Sequence, residues 1–187
     1  MGFVVVYDAC VLYPAPLRDL LLEIAISGLV SAKWTDAIHE EWIRNLLAKR
    51  SDLEGKLERT RVLMDKAVPD ALVQDFESFA TGQLLPDKDD QHVLTAARKC
   101  GAQSIVTFNI KDFPARILAQ YHIEAIHPDK FIEGQMGIDL KKVIACVKRI
   151  RARLNKPAIS AESYIAIIAD QKSPVTARRL SEYIDST

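Results

Sequence analysis

The sequence predicts an α/β protein in which helices cover a parallel β-sheet, followed by a helical C-terminal segment. Short apolar runs rich in β-branched residues, typical of buried parallel strands, end on polar residues such as Asp8 and Asn109. Stretches with apolar residues at helical spacing separate these runs, and this alternation favours a parallel sheet. Beyond His127 and Pro128 the pattern is helical only.

The elements of the first half are bounded by residues with known structural preferences. Pro14 and Pro16 separate the first strand from the helix that follows. Thr35 is a typical N-cap residue, because its hydroxyl can accept a backbone N–H of the first helical turn. The expected elements are a strand at 3–7, a helix at 17–27, a strand or extended link at 30–34, helices at 36–49 and 51–66, and a short helical segment at 69–79.

The second half continues the alternation and then changes to helices. A helix begins at Asp89 or Asp90 and stops at Gly101, a residue type that commonly ends helices. The expected elements are a loop at 82–88, strands at 104–108 and 124–126, a short helix after 112–114, and helices at 139–154, 160–169 and from 173 onwards. We therefore divide the chain into an α/β domain, residues 1–130, and a helical C-terminal extension, residues 131–187.

The charge is balanced overall but divided along the chain. The 187 residues carry 25 Lys+Arg and 25 Asp+Glu, and 49% are hydrophobic, which is typical of a globular protein. Residues 1–136 have 15 basic and 20 acidic side chains, whereas residues 137–187 have 10 and 5. Zero net charge excludes a histone-like protein, but a local basic patch can still bind nucleic acid.

Several classes of protein are disfavoured. The three cysteines have long spacings and no CxxC, so a disulfide framework or a zinc site is unlikely, and a reducing compartment fits. No apolar stretch approaches the ~18 residues of a membrane span, and we expect a cytoplasmic protein. The phosphate-binding patterns GxxxxGK[ST] and GxGxxG are absent, which disfavours nucleotide-dependent enzymes.

Acidic and amide residues follow the predicted strands. Asp8 ends the first strand, Asn109 follows the strand at 104–108, and Asp112 lies three residues later. Asp90 begins the helix that leads into that strand. Each of them alone could be a simple helix cap or turn residue, but ligand sites of open parallel sheets lie at the carboxyl ends of the strands. Clustered carboxylates need a compensating cation, and hard oxygen ligands indicate Mg²⁺ or Mn²⁺.

Four blocks of sequence carry a family resemblance. In chain order they are VVYDACVLYP, TDAIHEEWIRNLL, LPDKDDQHVLTAA and IVTFNIKDFP. Together they resemble the PIN-domain ribonucleases, in particular the toxins of bacterial type II toxin–antitoxin pairs, over about residues 3–127. The resemblance implies a three-layer α/β/α sandwich whose acidic residues hold Mg²⁺ or Mn²⁺ for hydrolysis of single-stranded RNA.

The resemblance also assigns roles to individual residues. Asp8 matches the aspartate that ends the family's first strand, Asp90 the aspartate that opens the D-x-x-V-L-x-x-A helix, and Asp112 the aspartate of the last block. Glu41 matches the helical glutamate, with the neighbouring Glu40 as the alternative. These four residues, Asp8, Glu41, Asp90 and Asp112, are the expected catalytic and metal-binding set.

Two further residues are expected to support the site. Asn109 stands where many family members carry another aspartate, and the missing charge weakens the case for a second metal ion. Thr107 can donate a hydrogen bond to the site from the same strand end. The resemblance further implies a 5′-phosphate product, a cognate antitoxin protein as partner and a possible homodimer.

Side chains outside the acidic set are harder to assign. His39 and His92 are expected at the surface or beside the site rather than as ligands, and Trp34 and Tyr13 could stack on a base although core packing is the simpler explanation. The C-terminal basic residues could track RNA phosphates, form the solvated face of a helix, or dock an antitoxin. They are Lys141, Lys142, Lys148, Arg149, Arg151 and Arg153.

Two other functions remain open from the sequence. A catalytically degenerate PIN-fold binding module is compatible with Asn109 in place of an acidic residue. A phosphatase that uses Asp8 as its nucleophile is less compatible, because the haloacid-dehalogenase pattern has a second aspartate where this chain has Cys10.

Overall fold

Four short strands form the centre of the computed structural model, which describes residues 2–80, 82, 85–155 and 157–183. They are β1 (Val4–Tyr7), β2 (Ser31–Lys33), β3 (Ser104–Val106) and β4 (Glu124–Ile126). All pairs are parallel, and the order in the sheet is β2-β1-β3-β4. The prediction of a parallel sheet is confirmed, and the segment at 30–34 contains a strand rather than only a link.

Helices cover the sheet and continue beyond it, so the predicted α/β sandwich with a helical C-terminal extension is confirmed. The extension consists of the C-terminal part of the helix at Pro128–Arg153 and the two helices that follow it. The helices of the described residues are α1 (Ala9–Leu12), α2 (Ala15–Ile26), α3 (Asp36–Leu47), α4 (Lys56–Ala67), α5 (Gln91–Lys99), α6 (Ala115–Leu118), α7 (Pro128–Arg153), α8 (Ala161–Asp170) and α9 (Pro174–Ser181).

The central strands are buried on both faces, which explains their continuous apolar sequence. Val5, Val6 and Tyr7 of β1 have no exposed surface, and neither do the core side chains Trp34 and Trp42. Truncating a buried aromatic side chain of this size typically costs about 3–5 kcal/mol of stability. The core therefore fixes the position of the strand ends, where the polar residues follow.

The predicted continuous helix at 51–66 is wrong, because Gly55 interrupts it. The chain forms a 3₁₀ turn at Ser51–Leu53, and α4 begins only at Lys56. Gly55 has a φ of 73°, a left-handed conformation that residues with a Cβ adopt at a cost. The glycine therefore separates the turn from the helix.

The predicted helical segment at 69–79 is also wrong. Its backbone instead extends the edge of the sheet: Trp34 N donates to Ala71 O at 3.0 Å, and Val73 N donates to Trp34 O at 2.8 Å. Only Glu77–Phe79 forms a 3₁₀ turn. Pairing with Trp34 satisfies backbone groups at the sheet edge that a local helix would leave unpaired.

The helix predicted at 139–154 is present, and a helical segment that begins at Pro128 precedes it within α7. Asp139 is the boundary between the two, because its φ of −152° and ψ of 87° are not helical and produce a kink. Its Oδ1 accepts the Lys142 backbone N–H at 3.0 Å, as an N-cap residue does. The division of the chain at residue 130 stays a prediction, and α7 runs across that position.

Two buried carboxylates attach the C-terminal helices to the rest of the fold. Glu23 on α2 is 3% exposed and accepts hydrogen bonds from Arg149, at 2.7 Å, and from Arg153. Asp129 accepts the backbone N–H groups of Val175 and Thr176, at 3.0 and 2.8 Å, in the first turn of α9. A carboxylate at a helix N-terminus also interacts favourably with the helix dipole.

Within the predicted loop at 82–88, residues 83 and 84 lie outside the described residues. None of the helices that the structure describes is both long enough and apolar enough to span a bilayer.

Replacing both arginines of the Glu23 contact by methionine should destabilise the protein. We expect Arg149→Met with Arg153→Met to lower the free energy of unfolding by about 3 kcal/mol near neutral pH, since a buried carboxylate loses its partners. Burial opposes ionisation of Glu23, but the two arginines outweigh it and lower its pKa. Their contribution is therefore present above the ordinary pKa of glutamate and is lost as the pH falls through the lowered one.

Urea denaturation of the wild type and the double variant, at neutral pH and at about pH 3.5, measures the difference in their free energies of unfolding. Lys148→Met is the matched control, because Lys148 is exposed on the same helix and has no ion pair within the described residues. A double variant as stable as the control at neutral pH would contradict the role of Glu23.

Candidate active site

The register of β1 and β3 brings Asp8 and Thr107 side by side. Tyr7 pairs with Val106, so the next residue on each strand lies at the same edge of the sheet. Asp8 is 1% exposed, and its Oδ2 accepts the Thr107 hydroxyl at 2.6 Å. The Asp8 backbone N–H donates to Val106 O at 3.1 Å, which fixes the main chain at this point.

Cys10 links the same two strand ends. Its thiol donates to Asp8 Oδ2 at 3.0 Å, and its sulfur accepts the Phe108 backbone N–H at 3.2 Å. Burial raises the pKa of the Asp8 carboxyl and the nearby Glu41 raises it further, while the hydrogen bonds from Thr107 and Cys10 act in the opposite direction. One oxygen of Asp8 is thus held in a defined orientation.

Asp90 lies at the N-terminus of α5 among other carboxylates. Burial raises its pKa to about 7, and the charges of Asp8, Asp87, Asp112 and Glu41 act in the same direction, in decreasing order. The structure therefore brings all four sequence-predicted acidic residues into one electrostatically coupled cluster. Such a shift shows that the cluster is unfavourable when every carboxylate is ionised and no cation is present.

Glu41 reaches the cluster from α3. Its Oε2 lies 3.4 Å from Nε2 of His92, which follows Asp90 by two residues on the chain. The His92 Nδ1 is buried and has no hydrogen-bond partner within the described residues. Glu41 acts on the pKa values of both Asp8 and Asp90, whereas the neighbouring Glu40 is not among the charges that shift either one.

Glu41 and Asp90 of this cluster line a cleft of about 560 Å³, which we call the acidic cleft. Carboxylates, amides and two basic side chains line it. The lining residues are Ala37, Glu40, Glu41, Arg44, Asn45, Asp87, Asp89, Asp90, His92 and Asn109.

The donor chemistry of the cleft fits a hard divalent cation, since carboxylate and amide oxygens are the groups that Mg²⁺ and Mn²⁺ prefer. Within the part of the chain that the structure describes, however, no three His, Cys, Asp or Glu side chains are close enough to ligate one ion together. The carboxylates thus lie within electrostatic range of one another but not in a closed coordination shell. The raised pKa of Asp90 indicates that a cation would relieve their repulsion.

The two remaining predicted residues of this region lie on one loop. Asn109 is exposed and lines the acidic cleft, and its backbone N–H donates to Thr107 Oγ1 at 3.0 Å. Asp112 ends a 3₁₀ turn, and its N–H donates to Asn109 O at 2.9 Å. The loop therefore holds Asp112 close to the strand end that carries Thr107.

The six basic residues of the C-terminal segment lie on α7, and none lines the acidic cleft as described. Arg149 and Arg153 bind Glu23, and Arg151 donates to Ile159 O at 3.2 Å. The three arginines thus connect α7 with α2 and with the segment before α8. Lys141, Lys142 and Lys148 are exposed.

Both Trp34 and His39 are fully buried, which confirms core packing for Trp34 and shows that the surface position expected as one alternative for His39 is wrong. The Trp42 indole N–H donates to His39 Nδ1 at 3.0 Å, and the Trp34 indole N–H donates to Asp65 at 2.8 Å. His39 Nε2 lies 3.1 Å from the same Asp65 oxygen. This network holds α3, and with it Glu41, against the core.

Sequence reasoning missed Arg44, which lines the acidic cleft from α3. The signal was available in the spacing, because Arg44 follows Glu40 by four residues and Glu41 by three. Residues at these spacings lie on the same face of a helix.

Family models match two parts of the chain. A family model described as "PIN domain" matches residues 4–111, and a model described as "VapC50 C-terminal domain" matches residues 128–182. The protein named "Putative ribonuclease VapC50" from Mycobacterium tuberculosis is 33% identical over 93 residues, which are 49% of this chain. The match covers 55% of that relative, so the chain spans about half of its length.

No solved structure matches the chain. The family model nevertheless covers more than half of the sequence and includes β1, α3, α5 and β3, the elements that carry Asp8, Glu41, Asp90 and Thr107. This chain belongs to the PIN-domain family.

Proposed function

We propose that the protein is a metal-dependent endoribonuclease that hydrolyses phosphodiester bonds of single-stranded RNA. The observation that carries this proposal is the coupled set of carboxylates at the carboxyl edge of the sheet, with the pKa of Asp90 raised to about 7. Such a set favours a divalent cation, and divalent cations suit phosphoryl chemistry. The similarity to a protein named as a ribonuclease supports the same activity.

The metal ion we propose is Mg²⁺ or Mn²⁺, held by Asp8, Glu41, Asp90 and Asp112 directly or through waters. When bound, it supplies Lewis-acid polarisation of the scissile phosphate and a lower pKa for a water molecule. Thr107 and Cys10 hold Oδ2 of Asp8 in place. Asn109 follows the neighbouring strand β3 at the same edge of the sheet and supports the site without adding charge.

The proposed reaction is attack of water on the phosphorus atom, with cleavage of the bond to the 3′ oxygen and formation of a 5′-phosphate. One carboxylate of the cluster orients the water or accepts its proton. His92 lies beside Glu41 Oε2 and restricts the orientation of the Glu41 carboxylate. Burial of Asp8 strengthens the electrostatic interactions at the strand end, since the surroundings exclude water.

We propose further that the protein is the toxin of a toxin–antitoxin pair in the cytoplasm, with a cognate antitoxin protein as its partner and a homodimer as a possible assembly. The resemblance of residues 128–182 to a C-terminal domain named after VapC50 supports this assignment.

A catalytically degenerate binding module is the second candidate. The observations that favour it are Asn109 in place of an acidic residue and the lack, in the described residues, of three side chains arranged around one ion. A phosphatase is less compatible, because Asp8 is 1% exposed and its Oδ2 already accepts two hydrogen bonds. Metal affinity and RNA cleavage distinguish the candidates.

Replacing Asp8 by asparagine should abolish RNA cleavage. We expect a loss of at least about 100-fold in rate, because the change removes one charge that would hold the metal ion. The rate of cleavage of single-stranded RNA oligonucleotides in Mn²⁺, compared with the wild type, measures this loss. Growth arrest on expression should disappear in parallel. Asp70→Asn is the matched control, since Asp70 is exposed and lies outside the acidic cleft. Full activity of Asp8→Asn would contradict the assignment.

Replacing Asp90 by asparagine should raise thermal stability in the absence of metal, and the gain should increase with pH. The Asp90 pKa is about 7 because burial and neighbouring carboxylates disfavour its charged form. The penalty for ionising Asp90 is absent below the ordinary pKa of aspartate, grows as the pH rises and is complete above about 7, so asparagine gains more stability at high pH than at low pH.

Melting temperatures in EDTA at about pH 5 and about pH 8.5 measure the effect. Added Mn²⁺ should stabilise the wild-type protein more than the variant, because metal bound only to the native state raises stability. Asp70→Asn is the control, since Asp70 is exposed and lies outside the acidic cleft. An equal shift of the Asp90 variant at both pH values would contradict the electrostatic coupling.

A further inference from the structure

A second cleft adjoins the acidic cleft along α3. It has a volume of about 480 Å³ and shares Glu41, Asn45 and Asn109 with the first. Its other lining residues are Ala9, Cys10, Tyr13, Ala48 and Lys49. Asn45 and Ala48 lie about one and two turns beyond Glu41 on the same helix face, so the two clefts form one groove that follows the helix axis. We call it the α3 groove.

Two basic side chains lie along the α3 groove, one in each cleft. Arg44 lines the acidic cleft and Lys49 lines the second cleft, and both residues are exposed. Among the described residues, neither forms an ion pair, whereas the neighbouring Arg50 binds Asp52 through two hydrogen bonds. Arg44 and Lys49 are therefore available to bind phosphates in the two clefts that share Glu41.

An aromatic ring and two amides complete the groove. Tyr13 is half-buried, and Lys49 Nζ lies 5.7 Å from the centre of its ring. Asn45 and Asn109 are exposed where the two clefts meet. Single-stranded RNA binding typically combines cations for the phosphates with an aromatic face for a base, and amides can hydrogen-bond base edges.

We propose that single-stranded RNA binds along the α3 groove, with its backbone on Arg44 and Lys49, one base on Tyr13, and the scissile phosphate beside Glu41. This inference rests on the proposed ribonuclease function and specifies the surface that positions its substrate. It places the RNA on α3 and not on the basic residues of α7, of which Arg149 and Arg153 already bind Glu23.

Charge reversal along the groove tests the inference. The variants are Arg44→Glu and Lys49→Glu, with Arg44→Gln and Lys49→Gln as milder changes, and all are checked for native fold by circular dichroism. At saturating Mn²⁺ each reversal should raise the KM for an RNA oligonucleotide about 10-fold or more, with a smaller change in kcat. Each lost phosphate contact should also reduce the salt dependence of RNA affinity, by about 0.7 in the slope of log K against log salt.

Two substitutions of Tyr13 test whether its ring stacks on a base. Tyr13→Leu removes the stacking face and should weaken RNA affinity about 10-fold, as is usual for stacking contacts, whereas Tyr13→Phe keeps the face and should bind like the wild type. Binding is measured by fluorescence anisotropy in an Asp8→Asn background with Mg²⁺, which separates affinity from cleavage.

Lys142→Glu and Lys148→Glu are the matched controls, because both lysines are exposed on α7 outside the groove. The inference predicts that these two lysine variants change the KM for RNA by less than about 2-fold. Weakened binding in these variants together with normal binding in the α3 variants would overturn the inference and leave the ribonuclease proposal intact. A wild-type protein that neither binds nor cleaves single-stranded RNA would overturn both.

Discussion

The parallel pairing of β1 with β3 is the constraint on which the site depends. Because Tyr7 lies opposite Val106, the strands end together, and the next residues, Asp8 and Thr107, meet at one edge. The pairing is fixed by strands buried on both faces, so the position of the polar residues follows from the hydrophobic core. The cost of this arrangement is electrostatic, since it places the buried Asp8 carboxylate near the charge of Asp90.

The helices outside the sheet stabilise this edge from a distance. The buried network of Trp34, His39, Trp42 and Asp65 holds α3 against the core, which fixes Glu41 over the strand ends. On another side of the fold, Glu23 binds two arginines of α7. Basic residues of the C-terminal segment thus serve packing as well as solvation. The charge asymmetry of the sequence therefore reflects two different uses of charge, a repulsive acidic cluster and a set of attractive ion pairs.

Residues placed by local topology could be predicted from the sequence. Asp8 and Asp90 follow from a strand end and a helix start, because such positions meet at one edge of any parallel sheet. Contacts between distant segments could not. No local pattern shows that Glu23 binds Arg149, 126 positions away, or that the segment after Pro69 pairs with Trp34. A helical spacing of apolar residues also cannot distinguish a buried histidine such as His39 from an exposed one, since its partner Asp65 comes from another helix.

The central claim is that the coupled carboxylates form a site for a divalent cation. Calorimetric titration of Mn²⁺ at about pH 7, in two buffers of different ionisation enthalpy, tests it most directly, because the difference in heat counts the protons released on binding. With the Asp90 pKa at about 7, the account predicts saturable binding with release of roughly half a proton per protein, falling towards zero at about pH 9. Absence of saturable binding, or binding without proton release at pH 7, would contradict it.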